Sequence, residues 1–199
     1  FDPIHLGHLL LAERCREELD LDEVRFLPAA ANPLKERRPV AADRDRCDMV
    51  QFAISGHPQF RVDRRVMQRG GPSYTVETLE QIAAENPDAE LFLLMGADSF
   101  NDFHRGGWKS PDRIRELATV AAVNRGDAVA DVPETFDDRR VRFISMPACD
   151  FSATDLRQRA AAGQSLRYRT PAAVIACIRD RELYDSRGEG EEPKAEGML

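Results

Sequence analysis

Leu91-Phe92-Leu93-Leu94-Met95, closed by Gly96, is an apolar run with no polar interruption. A strand with one face in water alternates apolar and polar side chains. A strand covered on both faces has no reason to, so this run is read as a central strand of a parallel sheet. Upstream of it, Ser73 or Thr75 is placed to cap a helix that buries Val76, Leu79, Ile82 and Ala83 and ends at Asn86-Pro87. Downstream, Ser110-Pro111 opens a helix with serine at the cap and proline in the first turn, and Thr119 to Val123 returns to strand.

The same alternation continues to both ends of the chain. A helix from about His8 to Leu19 is followed by a short strand over Glu23 to Pro28, a loop, and a helix from about Asp43 to Ser55 with Cys47, Val50, Ala53 and Ile54 on one face. Gly56-His57-Pro58 stops that helix and leaves His57 as a solvated turn residue. Phe60 to Asp63 is a strand and Met67 to Pro72 a loop. Residues 126–140 form a polar loop or short helix before the strand Val141 to Ile144. Ser152-Ala153-Thr154-Asp155 has the capping-box pattern and opens a helix that Gly163 closes. Thr170-Pro171 starts the last helix, ending near Tyr184. Strands alternating with helices over short links indicate an α/β fold: a doubly wound, Rossmann-like parallel sheet with helices on both faces, occupying residues 1–184. Residues 185–199 carry five acids against two bases and few apolar side chains, which is the composition of a disordered acidic tail.

Composition narrows the function classes. With 28 basic and 35 acidic residues the net charge is −7, and a general nucleic-acid binder would need the opposite footprint. No apolar run approaches membrane-spanning length and no basic-then-apolar leader is present, so a cytoplasmic protein with no membrane partner is expected. Cys15, Cys47, Cys149 and Cys177 lack the close spacing of zinc or dithiol motifs and are read as reduced, mostly buried thiols. No protein-bound metal site is marked.

Chemistry concentrates at the first eight residues, Phe1-Asp2-Pro3-Ile4-His5-Leu6-Gly7-His8. Pro3 suits a helix entry, and Gly7 has no Cβ to hold a phosphate away from the backbone. His5 and His8, three apart, share one face of a helical first turn, where unpaired N–H groups and the positive dipole end favour anions. Two surface histidines near a chain start would fit the pattern equally well. A loop feeding a helix N-terminus in an α/β protein normally follows a strand, so residues upstream of Phe1 are expected.

Several segments in order resemble the bacterial nicotinate-nucleotide adenylyltransferases of the His-x-Gly-His nucleotidyltransferase superfamily. Phe1 to His8 matches that family's loop from its phenylalanine onward. Pro28 to Lys35 is similar to a mobile loop beside the triphosphate, with Leu34 where many members have histidine. Ser73-Tyr74-Thr75 followed by Thr78-Leu79 resembles the segment whose backbone N–H groups receive the nicotinate carboxylate. Gly96 and Asp98 match residues against the ribose, and Trp108 a residue stacked on the nicotinate ring, with Gly106-Gly107 as an insertion before it. Arg125, at the end of its strand, corresponds to an arginine near the phosphates. Ser152-Ala153-Thr154-Asp155-Leu156-Arg157 resembles a triphosphate cradle, with Phe151 and Ala153 as departures.

The resemblance implies transfer of AMP from ATP to nicotinate mononucleotide, giving deamido-NAD and pyrophosphate in NAD biosynthesis. His5, His8 and Arg157 take catalytic roles in that picture. Phe1, Gly7, Lys35, Gly96, Asp98, Arg125, Ser152 and Thr154 join them in binding ATP, while Ser73, Tyr74, Thr75 and Trp108 bind the mononucleotide. The implied cofactor is Mg²⁺ arriving with ATP. Competing expectations are a sister enzyme for the amide mononucleotide or phosphopantetheine, and a non-catalytic nucleotide sensor.

Overall fold

The computed structural model describes residues 1–29, 39–125 and 138–185. In chain order the elements are α1 (Leu6–Glu18), β1 (Val24–Phe26), α2 (Asp43–Ala53), β2 (Phe60–Val62), α3 (Arg65–Arg69), α4 (Thr75–Glu85) and β3 (Phe92–Gly96). There follow α5 (Ala97–His104), α6 (Pro111–Leu117), β4 (Thr119–Arg125), β5 (Val141–Met146), α7 (Ala153–Ala161) and α8 (Ala172–Asp180). Every strand pairing is parallel, as the uninterrupted apolar run and the strand–helix alternation require.

β4 shows why the sheet needs cover on two sides. Its residues alternate, so Val120 and Ala122 enter one core with Met95, Phe100, Phe103 and Ile114 from β3, α5 and α6. Ala121 and Val123 enter another with Ile144, Met146 and Cys15 of α1. Both cores are closed to water, with the β4 side chains from Val120 to Val123 fully buried. A third core joins Val24, Phe26 and Phe60 of the other strands to Met49 and Val50 of α2 and Val174 and Ile178 of α8. Helices therefore cover both faces, as the sequence indicates.

The sheet is not continuous among the described residues. β1 pairs with β2, and β3 with β4 and β4 with β5, giving a two-stranded and a three-stranded sheet. A cavity of about 720 Å³ lies between them, lined by β1 residues Val24 to Phe26 and by β3. Phe1, His8, Ser73, Thr75 and Gly96 are also among its lining residues. Gly96 closes β3, and open α/β sheets bind ligands beyond the carboxyl ends of their strands.

Local departures from the sequence reading have local causes. The segment read as a loop before Pro72 contains the short helix α3, ended by Gly70 at φ 67°. α5 was not foreseen; it starts directly after β3, with Gly96 as its N-cap. Neither Ser73 nor Thr75 caps α4, because Tyr74 occupies the N-cap position and no side chain completes the cap. His57 is not a solvated turn residue: its ring stacks on Phe60 at 3.7 Å and its Nε2 lies 3.0 Å from a Glu13 carboxylate oxygen. α8 ends at Asp180, four residues short of Tyr184. The expected polar loop over 126–137 and the tail from 186 onward lie outside the described residues.

Candidate active site

The histidine loop enters α1 through a cis Asp2-Pro3 peptide and an extended His5, which is the N-cap. The His5 backbone N–H donates to His8 Nδ1 at 3.2 Å. In a neutral His8 that bond makes Nδ1 the acceptor and puts the proton on Nε2. The two imidazoles stack at 3.7 Å with 26° between planes, and Phe1 stands edge-on to His8 at 4.8 Å. His5 is buried and His8 half-buried. Gly7 meets a local packing demand. A Cβ there would lie 3.1 Å from the His5 ring and 3.5 Å from Cys149 Sγ, so the missing side chain makes room for His5.

The α7 start is brought against this loop. Ser152 Oγ accepts from Asp155 N–H at 3.1 Å, the cap its pattern indicates. Ser152 and Thr154 are exposed. Arg157 reaches back across 155 residues of sequence: Nη1 donates to the Asp2 carbonyl at 2.7 Å and Nη2 to Thr154 Oγ1 at 3.2 Å. Arg157 is thus tied to the histidine loop rather than extended into water. The Arg157 bond to Asp2 links the two helix starts that carry His5, His8, Ser152 and Thr154, and side chains and amides of these types are able to bind phosphate.

The α4 start forms a second neighbourhood. Tyr74 and Trp108 both pack on the core built from Val76, Phe100 and Phe103. Trp108 meets Phe103 edge-on at 5.7 Å, and its buried Nε1–H has no hydrogen-bond partner among the described residues. Lys109 Nζ sits 4.1 Å over the Tyr74 ring and 2.8 Å from a Glu77 carboxylate oxygen. The Glu77 carboxylate holds the Lys109 ammonium above its usual range, and the ammonium holds that carboxyl below its own. Two aromatic rings, a cation and a helix start without a side-chain cap suit a planar anion.

Gly96 closes β3 and lines the cavity. Asp98 is exposed in the first turn of α5. Arg125 closes β4 opposite Met146. Lys35 lies outside the described residues.

Residues 1–159 match the cytidylyltransferase-like family. The chain belongs to that family. It is 41% identical over 189 residues to a Roseiflexus protein named probable nicotinate-nucleotide adenylyltransferase, covering 92% of this chain and 94% of the relative. A protein of the same name from Thermomicrobium roseum is 40% identical over 191 residues, covering 92% and 87%. Within the cytidylyltransferase-like family the chain therefore falls in the nicotinate-nucleotide adenylyltransferase branch. The fold agrees with that of the Plasmodium falciparum nicotinic acid mononucleotide adenylyltransferase complexed with NaAD, at TM-score 0.76 and 15% identity over 95% of each chain.

Sequence reasoning missed residues whose partners are distant in the chain. Asp2 accepts from the Val40 and Ala41 backbone N–H groups at 2.7 and 3.2 Å and from the Tyr184 hydroxyl at 2.7 Å. Arg46 is buried, donating to the Ala29 carbonyl and to Asp43, both at 2.6 Å. No periodicity or local spacing marks the Asp2 pairings or the Arg46–Ala29 contact, whereas Asp43 stands three residues before Arg46, a spacing that a helix brings together.

Proposed function

We propose that this protein transfers AMP from ATP to nicotinate mononucleotide, releasing pyrophosphate and deamido-NAD, with residues 1–184 as the nucleotidyltransferase domain of a cytoplasmic enzyme. The observation that carries the reading is the stacked His5–His8 pair at the α1 start, with Arg157 tied to the same loop, in a chain about 40% identical to relatives named for this activity. The mononucleotide's 5′-phosphate is already anionic, so its oxygen attacks the ATP α-phosphorus without a general base. The new P–O bond forms as the bond to the bridging oxygen breaks, and pyrophosphate leaves with that electron pair. What the protein supplies is alignment of two anions and relief of their repulsion.

In this reading His8, His5, the α7 start, Arg157, Lys35 and Arg125 hold the triphosphate, Phe1 and Gly7 belong to the same ATP site, and Gly96 and Asp98 face the ribose. This donor set consists of groups that grip phosphate oxygens. A Mg²⁺ would therefore arrive with the nucleotide and would supply charge neutralisation at the phosphates. Tyr74 and Trp108 offer faces for the pyridine ring. The Ser73-to-Thr75 helix start and the Lys109 ammonium favour a carboxylate over a neutral amide at the ring's substituent.

The test is pyrophosphate release from ATP and Mg²⁺ with nicotinate mononucleotide, the amide mononucleotide or phosphopantetheine as acceptor. Strong preference for the acid is expected. ATP binding without release for any acceptor overturns the reading.

A further inference from the structure

The histidine loop is held from behind by one stretch of chain that is remote in sequence. On its downstream side, Thr170 Oγ1 donates to the Ile4 carbonyl at 2.8 Å and Leu6 N–H donates to the Arg169 carbonyl at 2.9 Å. On its upstream side, just past α8, the Tyr184 hydroxyl donates to Asp2 Oδ1 at 2.7 Å. The segment from Arg169 to Tyr184 therefore brackets the loop at both ends, with α8 as the rigid bar between the two contacts.

Asp2 is the more heavily used anchor. Its carboxylate accepts from Val40, Ala41 and Tyr184, and its carbonyl accepts from Arg157 Nη1. A carboxylate with donors converging from separate segments has little freedom to rotate. Its carbonyl is fixed along with it, and with that the direction from which Arg157 is held. Arg157 uses only part of its planar set of N–H groups on Asp2 and Thr154, so the rest can face an anion in an orientation set by Asp2. Burial and the adjoining Asp2 carboxylate push the Tyr184 phenol upward, which keeps it a donor through the physiological range.

We propose that Tyr184 and Asp2 are a positioning pair for the nucleotide site: the hydroxyl-to-carboxylate bond aligns the histidine loop and Arg157 for turnover without touching substrate. The proposal rests on the adenylyltransferase reading for its kinetic form, but the alignment itself can be measured without turnover.

The experiment compares full-length wild type, Tyr184→Phe, Arg157→Lys and the double variant. It uses pyrophosphate release with nicotinate mononucleotide, ATP affinity by calorimetry, and the imidazole NMR resonances of His5 and His8. Tyr184→Phe is expected to lower kcat about tenfold, within the ~100-fold that an ångström of misplacement costs, with ATP affinity little changed. The double variant should lose little more than Arg157→Lys alone, because both changes act through one alignment. The His5 and His8 resonances should move in Tyr184→Phe, although its lost oxygen lies beyond Asp2.

Unchanged kcat per folded molecule, with only Tm lowered, would make the pair a structural staple and overturn the proposal. Losses that simply multiply in the double variant would do the same. Absence of wild-type turnover with every acceptor sinks the function reading alone. In that case the imidazole resonances still decide the pair, moved in Tyr184→Phe if it positions the loop and unmoved if it does not.

Discussion

Gly7 sets two effects of opposite sign against each other. Alanine there would improve the helix by up to about 1 kcal/mol in intrinsic propensity. Its Cβ would also meet the His5 ring at 3.1 Å, where a few tenths of an ångström must be yielded. The imidazole has to give, and it is stacked on His8 at 3.7 Å, so both rings shift together. Gly7→Ala is therefore expected to leave Tm within a few degrees of wild type while turnover falls several-fold, seen by thermal melts alongside steady-state kinetics. His8→Ala removes the Nε2 donor outright. The expected loss in kcat is about 100-fold or more, the scale for deleting one preorganised donor to a developing anion, with ATP affinity little altered in calorimetry. Near-normal turnover would remove His8 from the mechanism. Cys149, half-buried and near Gly7, should be the first thiol to react with an alkylating reagent, and ATP should slow that reaction; mass mapping after brief labelling reads both outcomes. Cys15 should resist, since burial pushes its thiol up to about 12.

Elements differ in how plainly the sequence announces them. β3 was legible as a strand because its run has no polar position, although among the described residues it edges its sheet instead of lying at the centre and only its Met95 is buried; α7 was legible because Ser152 sits three residues before the amide it caps. α5 was not, since it begins at the residue after β3 and a single apolar run cannot show where strand becomes helix. The α4 start was misread for a related reason. Ser73 and Thr75 both have cap chemistry, yet the backbone turns helical after Tyr74, so neither completes the cap. The histidine loop was legible as a motif, whereas the Arg157 tether was not: its partner Asp2 lies 155 residues away and is engaged through a backbone carbonyl, which any residue type offers. These helix starts predict different outcomes on truncation. Ser152→Ala removes an occupied cap and should lower stability by about 1 kcal/mol in urea unfolding. Ser73→Ala removes no cap of α4, and its effect should fall on the KM for the mononucleotide.

At the scale of the whole molecule, the buried acids with raised values set the alkaline limit of the fold. The Cys15 thiol moves from 9.0 up to about 12 through burial and the neighbouring Glu18 charge. The Tyr184 phenol, ordinarily near 10.0, moves upward through burial, its bond to Asp2 and that carboxylate's charge. For an acid whose folded value lies above its unfolded one, the neutral form is favoured by the fold. The associated stability is complete below the unfolded value and is lost as pH rises through the interval between the two. The fold should therefore lose stability above about pH 9, first through Cys15 and then, above about pH 10, through Tyr184 as well. Each group can steepen the fall by up to about 1.4 kcal/mol per pH unit. Urea midpoints measured from pH 8 to 11 read this directly. Tyr184→Phe should begin lower, having lost the Asp2 contact, and should then fall less steeply than wild type above pH 10, so that the two curves converge. Parallel curves would mean that the phenol titrates alike in folded and unfolded chains. The clamp at Asp2 would then contribute nothing to the resistance of the fold to alkali.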